Sequence, residues 1–304
     1  MKNQHIKNIS VGIPAYNEEA NIRYLIESLL AQKEADFLLK EIIVISDGSS
    51  DKTVSTALSV NDKRVVVVDR KDRKGQAFRQ NEILKIFKGD ILVLLNADIL
   101  PKDDLFLVHI IAPFEIQEKI GIVSGRGIPL PAETFFEKII NFSTSMKEEM
   151  AEKINDGNNI YLCHGHSRAF SRAFVQHFSW VGAVSEDAYS YLMCKKSGFS
   201  FFYAKDAEIL YRSPQNFKDH MRQSIRFFKG QNDLGHYVSR DIVILEHKIP
   251  HNILIKTTMK YFLKNPVLFV GYITVLLMSK ILSLSKKKLS VNWDVATSSK
   301  SLIK

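Results

Sequence analysis

Five consecutive aliphatic residues, Ile91-Leu92-Val93-Leu94-Leu95, constrain the fold of this chain more than any other stretch. An unbroken apolar run of that length predicts a strand buried on both faces, and so a parallel sheet covered by helices. Gly89-Asp90 leads into it, Asn96-Ala97-Asp98 follows it, and Pro101 is expected to stop it. In open α/β sheets ligands sit outside the carboxyl ends of the strands. A polar-x-Asp pair at that place suits a divalent cation, which takes hard oxygen ligands and can neutralise a departing diphosphate. Asn and Asp are also ordinary turn residues, so the pair by itself fits a plain strand-to-loop turn equally well.

The flanking sequence repeats the pattern. Strands are expected at Ile9–Pro14, Glu41–Ser46 and Val65–Val68, with helices at about Asn21–Gln32 and 77–87. Alternation at this spacing predicts βαβ units and a mostly parallel, doubly wound sheet. Beyond residue 100 it loosens. Strands are expected at Ile120–Ser124, Ile160–Cys163, Phe199–Ala204 and Glu208–Tyr211, and helices at Phe135–Lys153 and from Ser185 to about Ser197. A catalytic domain is accordingly placed at 1–215 and a helical extension at 216–304. Two cysteines in 304 residues imply no disulfide framework. The N-terminus has no apolar run of signal-peptide length, so the fold is expected to begin on the cytoplasmic side.

Taken together, several motifs resemble the family 2 inverting glycosyltransferases of the GT-A, or nucleotide-diphospho-sugar transferase, fold. They are Pro14, Tyr16, Asn17 and Glu18 after the first strand, Asp47-Gly48-Ser49, Asn96-Ala97-Asp98, and Glu186-Asp187. Gln223-Ser224-Ile225-Arg226-Phe227 resembles the Gln-x-x-Arg-Trp element of the branch that builds polysaccharides at membranes, with Phe in place of Trp. The resemblance covers roughly residues 8–230. It implies that Pro14, Tyr16, Asn17, Glu18, Asp47, Lys74, Gly75, Asn96 and Ala97 bind a nucleotide-sugar. Asp98 would hold Mg2+ or Mn2+, and Asp187, with Glu186 beside it, would supply the base. His166, Gln223, Arg226 and Phe227 would face the acceptor and the diphosphate. Besides Phe227, three positions in the donor half depart from the family pattern: Ser46 stands for the first Asp of an Asp-Asp pair, Gln76 for a lysine, and Asn96 for the first Asp of Asp-x-Asp. The chemistry has a direct reason, since an inverting displacement needs a carboxylate opposite the leaving group to take the acceptor proton. Acidic residues in a first helical turn also serve simply as dipole stabilisers.

Charge and hydropathy distinguish the C-terminal third. Residues 216–304 hold 15 Lys and Arg against 5 Asp and Glu, which accounts for the whole net charge of +9. Asn265-Pro266 forms a helix start, with Asn as N-cap and Pro at the first helical position. An apolar helix is expected at about 261–282, flanked by Lys256, Lys260 and Lys264 and by Lys286-Lys287-Lys288. Basic residues on both flanks suit a helix in or on an anionic leaflet, and a core helix meets the same criteria. The tail Trp293–Lys304 is expected to be interfacial or loose. Because the basic residues accompany an aliphatic run rather than exposed aromatics, nucleic acid is not an expected partner. The sequence thus leads to a glycosyltransferase at the cytoplasmic face of a membrane, with a nucleotide-sugar donor and a glycan or lipid-linked acceptor. The rival readings are a nucleotidyltransferase on a related fold and a non-catalytic nucleotide-sugar-binding protein.

Overall fold

The computed structural model describes residues 6–35, 37–116, 119–182, 185–285 and 302, with the side chains of 226, 228, 229, 231, 232, 284 and 285 outside that set. In chain order the elements begin β1 (Lys7–Ala15), α1 (Ile22–Leu30), β2 (Phe37–Asp47), α2 (Thr53–Leu58), β3 (Val65–Arg70), α3 (Gln76–Ile86) and β4 (Ile91–Leu95). Then come β5 (Ile99–Pro101), α4 (Phe106–Ile111), α5 (Pro113–Ile116), β6 (Ile120–Pro129), α6 (Phe135–Glu152), β7 (Ser167–Ser171) and α7 (Arg172–Val175). The chain closes with α8 (Glu186–Lys196), β8 (Ser200–Tyr211), α9 (Phe217–Leu234), α10 (Arg240–Glu246), α11 (His251–Lys264) and α12 (Pro266–Ser285).

The eight strands form one sheet in the order β3-β2-β1-β4-β7-β6-β8-β5. β3, β2, β1 and β4 run parallel, as their continuous apolar stretches require. Leu92, Val93 and Leu94 of β4 are essentially without exposed surface. One apolar cluster lies between the sheet and the stripe Ile22, Leu25, Ile26 and Leu29 of α1. Another packs α3, α7 and α8 against the opposite face. A third joins α6 to α11 and α12 through Ile139, Ile140, Met146, Tyr261, Leu268, Tyr272 and Val275.

Four sequence expectations need correction. Ile160–Cys163 is not a strand; Ile160–Leu162 is a 3-10 turn whose start is capped by the Asn159 side chain, which accepts from the Tyr161 amide at 3.1 Å. The two closing strands are one, β8, with a register shift against β6 where Gly125 gives way to Arg126. Pro101 does not stop β4; it ends the separate short strand β5 at the sheet edge, where a missing N–H is tolerated. The apolar helix does not begin at 261. α11 ends at Lys264, Asn265 turns extended, and the Asn265 carboxamide caps the Leu268 amide at 3.0 Å to start α12 at Pro266. Lys286, Lys287, Lys288 and the 293–304 tail, apart from Leu302, lie outside the described residues.

Candidate active site

β1, β2 and β4 end at one level, because Ala15 pairs with Ser46 and Gly12 with Leu94. The polar residues that follow each strand therefore share one edge of the sheet. Asp47 is buried there and already engaged. Its Oδ1 accepts the Lys74 amide at 2.8 Å and the Arg79 guanidinium at 2.7 Å, and its Oδ2 accepts the Gly75 amide at 2.8 Å. A carboxylate offers about four acceptor sites, so one remains for a ligand. Gly75 is at φ +92°, a conformation that favours glycine and turns its amide onto Asp47. The Lys74 ammonium pairs with Asp72 at 2.9 Å, so in this state its charge is spent within the loop. Hydrogen bonds from Lys74 and Arg79 hold the Asp72 carboxyl down to about 2.

On the β1 side, Tyr16 lies beneath the Arg73 guanidinium at 3.8 Å from the ring centre, forming a flat clasp across the crevice. Asn17, at φ +53°, and Glu18 serve the scaffold. The Asn17 carboxamide oxygen accepts the Ser50 amide at 2.8 Å, the Glu18 amide donates to Thr53 at 2.7 Å, and the Glu18 carboxylate accepts from Asn21 at 3.1 Å. Pro14, partly exposed, is in β1 opposite Ile45. These contacts give Asn17 and Glu18 the work of fastening two loops together.

The three departures from the family pattern are not scattered. Gln76 Nε2 donates to Asn96 Oδ1 at 2.8 Å, so two of them form a single neutral amide pair. The third, Ser46, bonds Ser49 at 3.0 Å. Ala97 is buried, while Asp98 is half-buried beside β5, whose first residue pairs with Tyr211. Among the described residues no three His, Cys, Asp or Glu side chains are grouped to hold a metal ion. Asp98 suits a hard cation that keeps its waters and takes its remaining oxygens from substrate phosphates.

A series of neighbouring residues leads from Asn96 towards Asp187. The Asn96 amide donates to the His166 carbonyl at 3.0 Å, and His166 stacks on Tyr211. One residue earlier, the position of a Cβ on Gly165 would be 3.7 Å from Asp187 Oδ2 and 3.1 Å from Glu186 Oε1. Asp187 is half-buried in the first turn of α8, and its Oδ1 accepts the Ala188 amide at 2.7 Å. Glu186 is buried and turns inward, with Oε1 3.9 Å from Nη2 of the fully buried Arg168. Glu186 is thus a counter-ion under the helix, and Asp187 is the more exposed of the two carboxylates.

Sequence reasoning missed the groups that aim this helix. Arg168 donates to the Glu186 carbonyl at 3.2 Å and to Ser190 Oγ at 2.8 Å. The Trp180 indole N–H donates to the same Glu186 carbonyl at 2.8 Å. Asn81 brackets the Trp180 backbone, donating to its carbonyl at 2.7 Å and accepting its amide at 2.9 Å. The signal for Arg168 was its place in an apolar setting, Arg168-Ala169-Phe170.

His166, Gln223 and Phe227, expected from the sequence to face the acceptor, line one cavity of about 640 Å3, together with His164, Tyr211 and His220. The backbone of Arg226 is on the same helix, α9; its side chain is outside the described residues. Burial lowers the pKa of His164 and His166, so both imidazoles are neutral at pH 7.

Comparison with known proteins agrees with this architecture. A poly-beta-1,6-N-acetyl-D-glucosamine synthase from Staphylococcus aureus (strain COL) is 30% identical over 122 residues, 40% of this chain and 29% of that protein. A glucosyl-3-phosphoglycerate synthase from Mycobacterium tuberculosis is 30% identical over 144 residues, 45% of this chain and 40% of that protein. Each match thus spans well under half of the relative's length. Among solved structures, a mannosyltransferase from Pyrobaculum calidifontis in complex with GDP-Man and Mn2+ superposes with a TM-score of 0.60 at 15% identity. That match covers 94% of this chain and 78% of that one, so the two share the GT-A fold. The family model for glycosyl transferase family 2 matches residues 10–178, more than half of the sequence, and the chain belongs to that family.

Proposed function

We propose that the protein transfers a sugar from a nucleotide-diphosphate donor to a hydroxyl acceptor with inversion at the anomeric carbon. The observation that carries this reading is the series of neighbours Asp47–Gly75–Gln76–Asn96–His166–Gly165, with Asp187 close to Gly165. This series supports a donor end and a basic end that would share one side of the sheet. Tyr16 and Arg73 provide a platform for the base, and Asp47 has one acceptor position left for the nucleoside. Asn96 and Asp98 face the diphosphate.

Asp98 would hold Mg2+ or Mn2+, which when bound stabilises negative charge on the leaving diphosphate. The Mn2+ that accompanies GDP-Man in the Pyrobaculum structure supports a divalent cation here. Asp187 Oδ2 takes the proton of the acceptor hydroxyl as its oxygen bonds to the anomeric carbon. The bond from that carbon to the diphosphate oxygen breaks on the opposite face. The Ala188 amide on Oδ1 keeps the carboxylate aimed. Arg168 and Trp180 fix the turn that carries it.

The protein works, in this reading, at the cytoplasmic face of a membrane on a glycan or lipid-linked acceptor. The support is α12, an apolar helix with a mean hydropathy of 1.8 over Pro266–Ser283 and 28% of that window buried. Twenty residues make a helix of about 30 Å, close to the hydrocarbon thickness of a bilayer.

The test begins with thermal shifts of the full chain against UDP-, GDP- and TDP-sugars, with and without Mn2+. One donor is expected to stabilise the protein, and more strongly with the cation. Asp187→Asn is then expected to retain that stabilisation while transfer falls about 100- to 10,000-fold. Unchanged turnover would reject Asp187 as the base and favour nucleotidyl transfer, which has no use for it.

A further inference from the structure

Arg79 stands where local physics disfavours it. It lies near the start of α3, the end of a helix that repels a cation, and its side chain is only 1% exposed. A guanidinium so enclosed is costly unless its donors are met. Its Nε donates to Asp47 Oδ1 at 2.7 Å and its Nη1 to Glu82 Oε2 at 3.1 Å. Its Nη2 donates to the Asp72 carbonyl and, at 2.8 Å, to the Asp72 carboxylate.

One side chain thus joins the end of β2, the loop 71–75 and α3. The loop lies close over the turn that follows β2. The Gly48 amide donates to the Arg70 carbonyl at 2.9 Å, and a Cβ on Gly48 would be 3.2 Å from backbone atoms of Lys71, Asp72 and Arg73. The same loop carries Arg73 over the Tyr16 ring and sets the Lys74 and Gly75 amides on Asp47, just ahead of Gln76 on Asn96. The ion pairs around Arg79 link Asp47, Asp72 and Glu82 to Arg79, Lys74 and Arg70, so acids and bases balance and the cluster brings no net charge to a phosphate. For packing alone an apolar side chain would fill such a position at little loss of stability. What only a guanidinium supplies there is a rigid fork that reaches several acceptors at fixed angles.

We infer that Arg79 is a positioning residue for the nucleotide: its fork holds the Asp47 carboxylate in one orientation and pins the loop 71–75 across it. The remaining acceptor position of Asp47 and the Arg73–Tyr16 platform are then formed before a nucleotide arrives. Binding to a site already in shape avoids the cost of ordering it. The inference rests on the transfer reading above and adds to it the residue that prepares the donor half. Geometry, not charge, is the requirement, so lysine, a point charge on a flexible stem, cannot take the place of Arg79.

The experiment measures two quantities on the full chain: calorimetric binding of UDP and GDP with Mn2+, and the rate of trypsin cleavage after Arg70, Lys71, Arg73 and Lys74. The unaltered loop is expected to resist cleavage. Arg79→Lys keeps the charge, yet it is expected to weaken the tighter nucleotide about tenfold and to speed cleavage by a similar factor. The Asp72 side chain is 52% exposed, so Asp72→Asn serves if the first variant misfolds. It is expected to speed cleavage and to weaken the same nucleotide about threefold, although loss of a negative charge beside a diphosphate would by itself tighten binding. Unchanged affinity in Arg79→Lys would overturn the assignment, as would tighter binding in Asp72→Asn or a loop cut equally fast in all three proteins. A lower melting temperature with affinity and cleavage unchanged would leave Arg79 a purely structural role and overturn it too. Failure of the unaltered protein to bind either nucleotide would instead remove the transfer reading; the cleavage rates need no nucleotide and still decide whether Arg79 pins the loop.

Discussion

Asn81 is the side chain through which the donor loop and the basic helix communicate. Both of its hydrogen bonds go to the Trp180 backbone, and Trp180 in turn holds the first turn of α8. Asn81→Ala removes both bonds, at about 1–3 kcal/mol for the buried groups left without partners. The expected result is a lower melting temperature and a reduced kcat, with donor KM little changed; a large rise in KM alone would show that Asn81 touches donor instead. The two substitutions most discouraging in the sequence, Gln76 and Asn96, proved to be one bonded pair. Nothing in a linear sequence couples positions twenty residues apart, so each read as an isolated loss. The places of Asp98 past β4 and of Asp187 in the first turn of α8 were legible, because strand ends and helix starts carry local signatures. Arg168 was not, because a buried guanidinium is placed by the helix packed above it.

At the scale of elements, β1 to β4 were readable because strands buried on both faces leave continuous aliphatic runs. β7 was not. Its sequence, Ser-Arg-Ala-Phe-Ser, is short and polar, yet it fills the centre of the sheet between β4 and β6. Tertiary burial of Arg168 overrides local propensity there. The loop that leads into β7 and the helix α9 also bring three neutral imidazoles to one cavity, His164, His166 and His220. Their folded pKa values lie below the unfolded value of about 6.5, in His220 at about 4. The unfolded chain therefore binds more protons as the medium acidifies. Stability from these groups is complete above about pH 6.5 and is lost as pH falls, for His220 down to about 4. The slope is about 1.4 kcal/mol per pH unit for each imidazole. Melting temperatures measured at pH 7.5 and 5.0 should fall accordingly, and His220→Asn should flatten the profile. Equal midpoints at the two pH values would show that the histidines are charged in the folded protein.

For the whole molecule, the change in charge set residues 216–304 apart in the sequence, but the way α12 meets the rest of the chain was not legible there. α12 presents Leu268, Tyr272 and Val275 to α6 and α9, a stripe at helical spacing, while Val270, Leu277 and Ile281 face outward. A Cβ on Gly271 would lie 2.8 Å from Ile139 Cδ1, so glycine permits the close approach of α12 to α6. Because every face of α12 is apolar, its hydropathy could not reveal which side meets protein. The full chain is expected to float with phosphatidylglycerol vesicles. Val270→Asp combined with Ile281→Asp should weaken that binding at least tenfold, since each buried aliphatic side chain is worth about 1.5–3 kcal/mol. Donor binding should not change. Co-sedimentation that is indifferent to both substitutions would show that this flank is covered by protein. With its inner stripe clamped to α6, α12 cannot tilt without carrying the crevice along. If it lies in lipid, the bilayer therefore sets the altitude of the chemistry, like a mooring of fixed length, and selects acceptors by the depth at which their reactive oxygen rides.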